Sequence, residues 1–423
     1  MKPADRKRDP LYVQKGFGLK KQIKGLLQND YHSRLVDVLR EHGHSMRFED
    51  VTIRLAKDFG FCYGVDRAVD LAYETREHFP DKTLYITNEI IHNPYVNRRL
   101  VELGVRFLGQ GYTLEDVSEE DVVILPAFGV SVQEMERLRG IGCVLVDTTC
   151  GSVMNVWRRV RQYVSEGRTS VIHGKYYHEE TRATSSRARE GGAHYIIVLD
   201  EEQAGLVCDY IRRAPGALSR EALLERFAPA VSPGFDPDRD LGKIGVANQT
   251  TMLSSESLRI AEMFRQAIAE RYGPAEEGNR FRSFDTICSA TQDLQDAALE
   301  LGRSGPLDVV LVIGGYNSSN TTHLVEISSQ FCSAFHVDGP GELASCEEIY
   351  HQPLGSKERV LARGWLPQGP VTVGITAGAS TPNRIVGETI ERLLEVRGIP
   401  MNQILYDRTG VNLPVVEGSA SES

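Results

Sequence analysis

Residues 143–174 read CVLVDTTCGSVMNVWRRVRQYVSEGRTSVIHG. A short apolar run stops at Asp147 and two threonines, and Cys150 follows. Apolar residues then recur at helical spacing (Val156, Val160, Val164), and a second apolar run closes the stretch at His173. Strand, cysteine, helix, strand is thus the order expected here. The same order occurs twice more. Residues 53–65, IRLAKDFGFCYGV, lead into the helical pattern VDRAVDLAYETREHF and the strand TLYIT. Residues 281–291, FRSFDTICSAT, lead into QDLQDAALELGRSG and DVVLVIGG. Cys62, Cys150 and Cys288 therefore hold one position in a threefold internal repeat.

Working outward, each repeat places a polar loop after its strand: NEIIHNPYV, KYYHEET and YNSSNTTHL. Each also has a second half. Buried-strand runs DVVILPAFGVS, KIGVANQTTM and VTVGITAGAST precede helical patterns. Continuous apolar strands alternating with helices indicate parallel sheets covered by helices. The expected fold is α/β: three similar domains with mainly parallel sheets, arranged with pseudo-threefold symmetry around a central site. Residues 63–149 and 150–287 would form the first two domains, and 51–62 plus 288–400 the third. The cysteine spacings, 150 − 62 = 88 and 288 − 150 = 138, differ by a Pro/Gly-rich charged stretch near 215–241, read as a loop insertion. Residues 1–50 carry a helical pattern and read as an extension, and 401–423 as a polar tail.

Composition bounds the function. With 25% charged and 41% hydrophobic residues the chain is of ordinary globular type, and no run approaches the roughly 18 apolar residues of a membrane helix. A net charge of −10 argues against a nucleic-acid surface. The opening MKPADRKRDP lacks the apolar core of a secretory signal, so a cytoplasmic location is expected. Seven cysteines, an odd number without a secretion signal, point to free thiols and ligands rather than disulfides.

Three cysteines at matching repeat positions suit an iron–sulfur cluster with one iron left open for a substrate oxygen. Cys143, Cys208, Cys332 and Cys346 have no repeat partners and read as structural. Zinc would call for close pairs such as Cys-x2-Cys, which the sequence lacks. The loops add donors for an anion: Asn317–Asn320, the small residues Gly378–Thr381 ahead of a helix near Pro382, and the imidazoles of His92 and His178. A carboxylate in His178–Thr181 is placed to move protons, and Asn248–Thr251 to orient a hydroxyl.

These motifs together (GFCYGV, NEIIHNPYV, DTTCGSV, HGKYYHEET, NQTT, DTIC, NSSN and TAGAST) resemble the 4-hydroxy-3-methylbut-2-enyl diphosphate reductase family over about residues 52–400. The resemblance implies reductive loss of a hydroxyl from an allylic diphosphate at a 4Fe-4S cluster, giving isopentenyl and dimethylallyl diphosphates in the last step of the non-mevalonate pathway. By that resemblance Cys62, Cys150 and Cys288 are cluster ligands, and Glu180 is the proton relay. Thr250 lies beside the substrate hydroxyl, and Thr291 near the site. His92, His178, Ser318, Ser319, Asn320 and Ser380 bind diphosphate. A ferredoxin or flavodoxin would donate electrons. Phe128 departs from the pattern: many bacterial members have histidine in AHGVS, and this chain has AFGVS, like the plant and cyanobacterial branch. Lys175 is the nearby candidate for the missing positive charge. The rival readings are a quinolinate-synthase-like dehydratase, needing no external electrons, and a non-catalytic cluster sensor.

Overall fold

The computed structural model describes residues 11–399 except Asp285, and the segment read as a tail lies outside that range. Three mainly parallel sheets and one two-stranded ribbon occur among the described residues. The chain divides into two compact units. One takes in the described residues up to Gln28 and in Cys62–Asp293, and the other Asn29–Phe61 and the described residues from Leu294 on.

The first unit holds two sheets. One runs in the order Tyr12–Val13, Val144–Asp147, Val122–Leu125, Leu84–Ile86, Val105–Phe107, all parallel. The other runs Phe281–Ser283, Ile244–Asn248, Thr169–His173, Tyr195–Val198, also parallel. The second unit holds the third sheet: Ser333–Val337, Val309–Ile313, Val371–Ala377, Val51–Leu55, then the antiparallel Ser45–Phe48.

One connectivity repeats in all three. The first strand pairs with a short outer strand (Val105–Phe107, Tyr195–Val198 or Ser333–Val337). The chain then returns to the first strand's other side and ends on a strand that runs into a cysteine. For the third sheet that strand is Val51–Leu55, from early in the chain, so the repeat is circularly permuted. Each cysteine thus stands at a crossover between sheets. The central strands are fully buried, and two of them, Val122–Leu125 and Val309–Ile313, are uninterrupted Val/Ile/Leu runs, as a sheet covered on both faces requires.

Two parts of the chain differ from the sequence pattern. The extension contains the helices Lys20–Tyr31 and Arg34–Glu41, but Tyr12–Val13 and Ser45–Phe48 also add strands to two sheets. The stretch near 215–241 is more than a loop. It forms helix Arg220–Arg226 and buries Leu223, Phe227, Phe235 and Leu241 in the core of its unit, because its apolar residues find the face of the Tyr195–Val198 edge.

Candidate active site

Cys62 and Cys150 are the N-cap residues of helices Tyr63–His78 and Gly151–Ser165, and Cys288 directly precedes Ser289–Arg303. Helix N-termini present unpaired N–H groups and the positive end of the dipole. The helix after Cys150 is anchored by Tyr163, whose hydroxyl donates to the Val246 carbonyl at 2.6 Å.

The sulfurs are close. A Cβ on Gly64 would lie 2.5 Å from Sγ of Cys150 and 3.9 Å from Sγ of Cys62, so only glycine fits there. Ser152 Oγ donates to Sγ of Cys288 at 3.3 Å. Backbone bonds fix two of the loops: Cys150 N–H to Ala127 O at 2.8 Å and Cys288 N–H to Thr250 O at 3.3 Å. Burial, and then charge on Cys288 and Cys150, push the Cys62 thiol up to about 11, against N–H donation from Val65 and Gly64. The donor set of three free thiols at helix starts, with backbone N–H groups on sulfur, fits a cuboidal iron–sulfur cluster. The remaining cysteines have other surroundings. Cys143 and Cys208 lie in apolar clusters, Cys346 donates to the Val396 carbonyl at 2.7 Å, and burial raises the Cys332 thiol.

Glu180 lies in the first turn of helix Glu179–Glu190 and is fully buried. Its Oε1 accepts the Thr250 backbone N–H at 2.6 Å, and its Oε2 accepts the Thr250 hydroxyl at 2.9 Å. Burial pushes the carboxyl up to about 7 although both Thr250 bonds favour the anion. That is the protonation range of a general acid at neutral pH. The two loops are cross-tied: Gln249 Oε1 accepts Lys175 N–H and the Thr181 hydroxyl, each at 3.1 Å. Thr286 ties Cys288's approach to the same loop, accepting Asn248 N–H at 3.1 Å and donating to Asn248 Oδ1 at 2.6 Å.

His92 precedes helix Pro94–Glu102, which Asn93 caps, and His178 itself caps Glu179–Glu190. Their Nε2 atoms are 3.2 Å apart. Glu89 Oε2 meets His92 Nδ1 at 3.0 Å, and Glu179 Oε2 lies 3.8 Å from His92 Nε2. Burial, with His92 and Lys175 adding, holds His178 down to about 3. Phe128 stacks on His92 with centroids 4.8 Å apart and planes at 12°, so it fixes an imidazole instead of donating a bond. Arg187 braces the Phe128 loop, donating to Val130 O at 3.1 Å while lying over Trp157. Thr291 is buried in the first turn after Cys288.

The second unit builds an anion-ready loop of its own. Ser318 caps helix Ser319–Ser328, accepting Thr321 N–H at 3.3 Å. Asn320 Oδ1 accepts Ala379 N–H at 2.9 Å, bringing Ser380 to the same loop pair. The buried Asn320 Nδ2 has no partner among the described residues. Ser319 and Ser380 are buried. A Cβ on Gly378 would lie 2.0 Å from Thr321 Oγ1, so glycine permits this close approach.

The sequence reading missed Gly64, Ser152, Glu89 and Thr286. The glycine after Cys-Tyr was the available signal, since it sits two residues from a candidate ligand. The other three show only through tertiary contacts.

Comparison with known proteins agrees with this architecture. A family model described as LytB protein matches residues 53–394. The 4-hydroxy-3-methylbut-2-enyl diphosphate reductase of Gloeobacter violaceus is 51% identical over 396 residues, covering 92% of this chain and 93% of its own length. The reductase so named from Thermosynechococcus vestitus is 49% identical, covering 92% and 95%. A solved (E)-4-hydroxy-3-methyl-but-2-enyl diphosphate reductase, described as the terminal enzyme of the non-mevalonate pathway, is 29% identical with a TM-score of 0.50. It spans 81% of this chain and 99% of its own. The Plasmodium falciparum reductase, at 22% identity and a TM-score of 0.58, covers 81% and 87% and shares the fold.

Proposed function

The chain belongs to the LytB protein family, and from that premise we propose that it reduces 4-hydroxy-3-methylbut-2-enyl diphosphate, with Cys62, Cys150 and Cys288 holding the redox centre. The reaction consumes two electrons and two protons: the hydroxyl leaves as water, and a hydrogen is added to carbon. The carbon that receives it decides between isopentenyl and dimethylallyl diphosphate. When bound, a 4Fe-4S cluster on three thiolates supplies single electrons and a Lewis-acidic iron without a protein ligand.

The protein's own groups do the rest. Glu180, protonated near neutrality, gives its proton to the departing hydroxyl. Thr250 holds the Glu180 carboxyl by two bonds and turns its hydroxyl between acid and substrate. His92, His178, Ser318, Ser319, Asn320 and Ser380 are the diphosphate donors, and Thr291 flanks the reacting end. Several charge-assisted bonds, each about 1.5–3 kcal/mol, anchor the anion without magnesium. A ferredoxin or flavodoxin is the proposed electron donor, and the cytoplasm the proposed location. No helix among the described residues is long and apolar enough to cross a membrane.

The observation that carries this reading is the placement of three free cysteines at three equivalent helix starts. Anaerobic purification, iron counting with Mössbauer spectroscopy, and turnover of the hydroxylated diphosphate with dithionite test it. A three-cysteine-bound cluster and reductant-dependent product formation are expected. Turnover without reductant, or activity surviving loss of iron in Cys150→Ser, would sink it.

A further inference from the structure

The hydrogen-bond directions around His92 and His178 leave one assignment of protons. The Glu180 backbone N–H donates to Nδ1 of His178 at 3.1 Å, so that nitrogen is bare. Buried and neutral, His178 carries its proton on Nε2. That Nε2–H faces Nε2 of His92 at 3.2 Å and donates to it. His92 therefore accepts at Nε2, and its Nδ1–H donates to Glu89 Oε2 at 3.0 Å. In this resting chain the two rings share one Nε2 proton between them. Two imidazoles cannot both donate to an anion from that state.

We propose that diphosphate binding takes up one proton from solvent onto Nε2 of His92, and that Glu89 is the positioning residue that holds the imidazolium so formed. This deepens the reading of His92 and His178 as diphosphate ligands and rests on it. The charges around the pair select which ring is protonated. Glu89 lies on Nδ1 of His92, Glu179 Oε2 is 3.8 Å from its Nε2, and the Glu180 carboxyl acts on it as well. Glu179 is itself held by Asn88 Nδ2 at 3.0 Å. Lys175 instead bears on His178 and disfavours charge there. Phe128 covers a face of the His92 ring and offers no competing donor.

The test is anaerobic titration calorimetry of the cluster-loaded enzyme with the substrate diphosphate and no reductant, in buffers of differing ionisation enthalpy. At about pH 8–9 a phosphate group (second pKa about 6) is fully ionised and a free histidine (about 6.5) is neutral. Wild type is expected to take up close to one proton per anion bound, with Kd weakening roughly tenfold per pH unit. Glu89→Gln keeps an acceptor for Nδ1–H but removes the charge, so uptake should fall well below one and affinity at neutral pH should weaken. Glu89→Asp should restore part of both, and unchanged iron content would show that the variants fold. Uptake near zero in wild type, or unchanged in Glu89→Gln, overturns the proposal. So does affinity that needs added zinc and vanishes with chelator, because His92, His178 and Glu179 would then be holding a cation. Absence of any diphosphate binding overturns the functional reading itself, and this proposal with it.

Discussion

The Glu180 carboxyl and the Asn320 amide are both buried, yet the protein treats them in opposite ways. Both oxygens of Glu180 are satisfied by Thr250, in a loop tied again by Gln249 and Thr286. Asn320 has its carbonyl satisfied by Ala379 N–H, while its NH2 group is buried without a partner among the described residues. An unsatisfied buried donor costs about 1–3 kcal/mol. On the proposed reading, a group that must hold and release a proton at a fixed point is fully organised beforehand. On the same reading, a group that must grip an anion keeps its donor open for it.

This contrast predicts different losses. The largest falls on the acid. Glu180→Gln should lower kcat by roughly 10²–10⁴-fold in anaerobic dithionite assays, with iron content and Kd little changed. A wild-type rate would remove Glu180 as the proton donor. Next comes the anion loop. Asn320→Ala should weaken substrate affinity by roughly 10- to 100-fold, the worth of a charge-assisted bond, while kcat for bound substrate holds. A selective fall in kcat there would erase the division of labour.

The pH dependence is gentler and tests Glu180 twice. With the folded carboxyl near 7 and its unfolded value near 4.5, the native state binds the extra proton between these limits. Activity should fall about tenfold per unit above pH 7. The stabilisation present below about 4.5 is lost as pH rises through 7. Glu180→Gln, neutral at all pH, should therefore gain in Tm relative to wild type as pH climbs from about 4.5 to 7 and hold that gain above 7. A constant difference would place the carboxyl's ionisation outside that range. The smallest effect is expected at Lys175, whose ammonium is lowered by burial. Lys175→Ala should weaken diphosphate binding only a few-fold, and unchanged affinity would remove it as the replacement for the histidine absent at Phe128.

Much of this was legible in the sequence. Cys62, Cys150 and Cys288 stand out because three repeats align them, and central strands such as Val309–Ile313 are continuous apolar runs. The outer strands Val105–Phe107, Tyr195–Val198 and Ser333–Val337 escaped notice. They are three to five residues long, and strands that short cannot be told from loop by periodicity. The stretch near 215–241 misled through its Pro and Gly content, because its buried Leu223 and Phe227 take their partners from distant strands. Glu89 was invisible for a similar reason: a glutamate three residues before a histidine becomes informative only when the loop folds it back onto Nδ1.

By itself the sequence determined the parallel α/β class, the cysteine at each repeat's helix start, and the polar loops after each first strand. These are local properties, carried by apolar runs, helix periodicity and capping residues. Only tertiary structure decided that Gly64 makes room for the Cys150 sulfur, that burial sets Glu180 near 7 against its Thr250 bonds, and that Phe128 stacks on His92. Those outcomes depend on burial and on the direction of individual hydrogen bonds, which exist only after distant segments have packed.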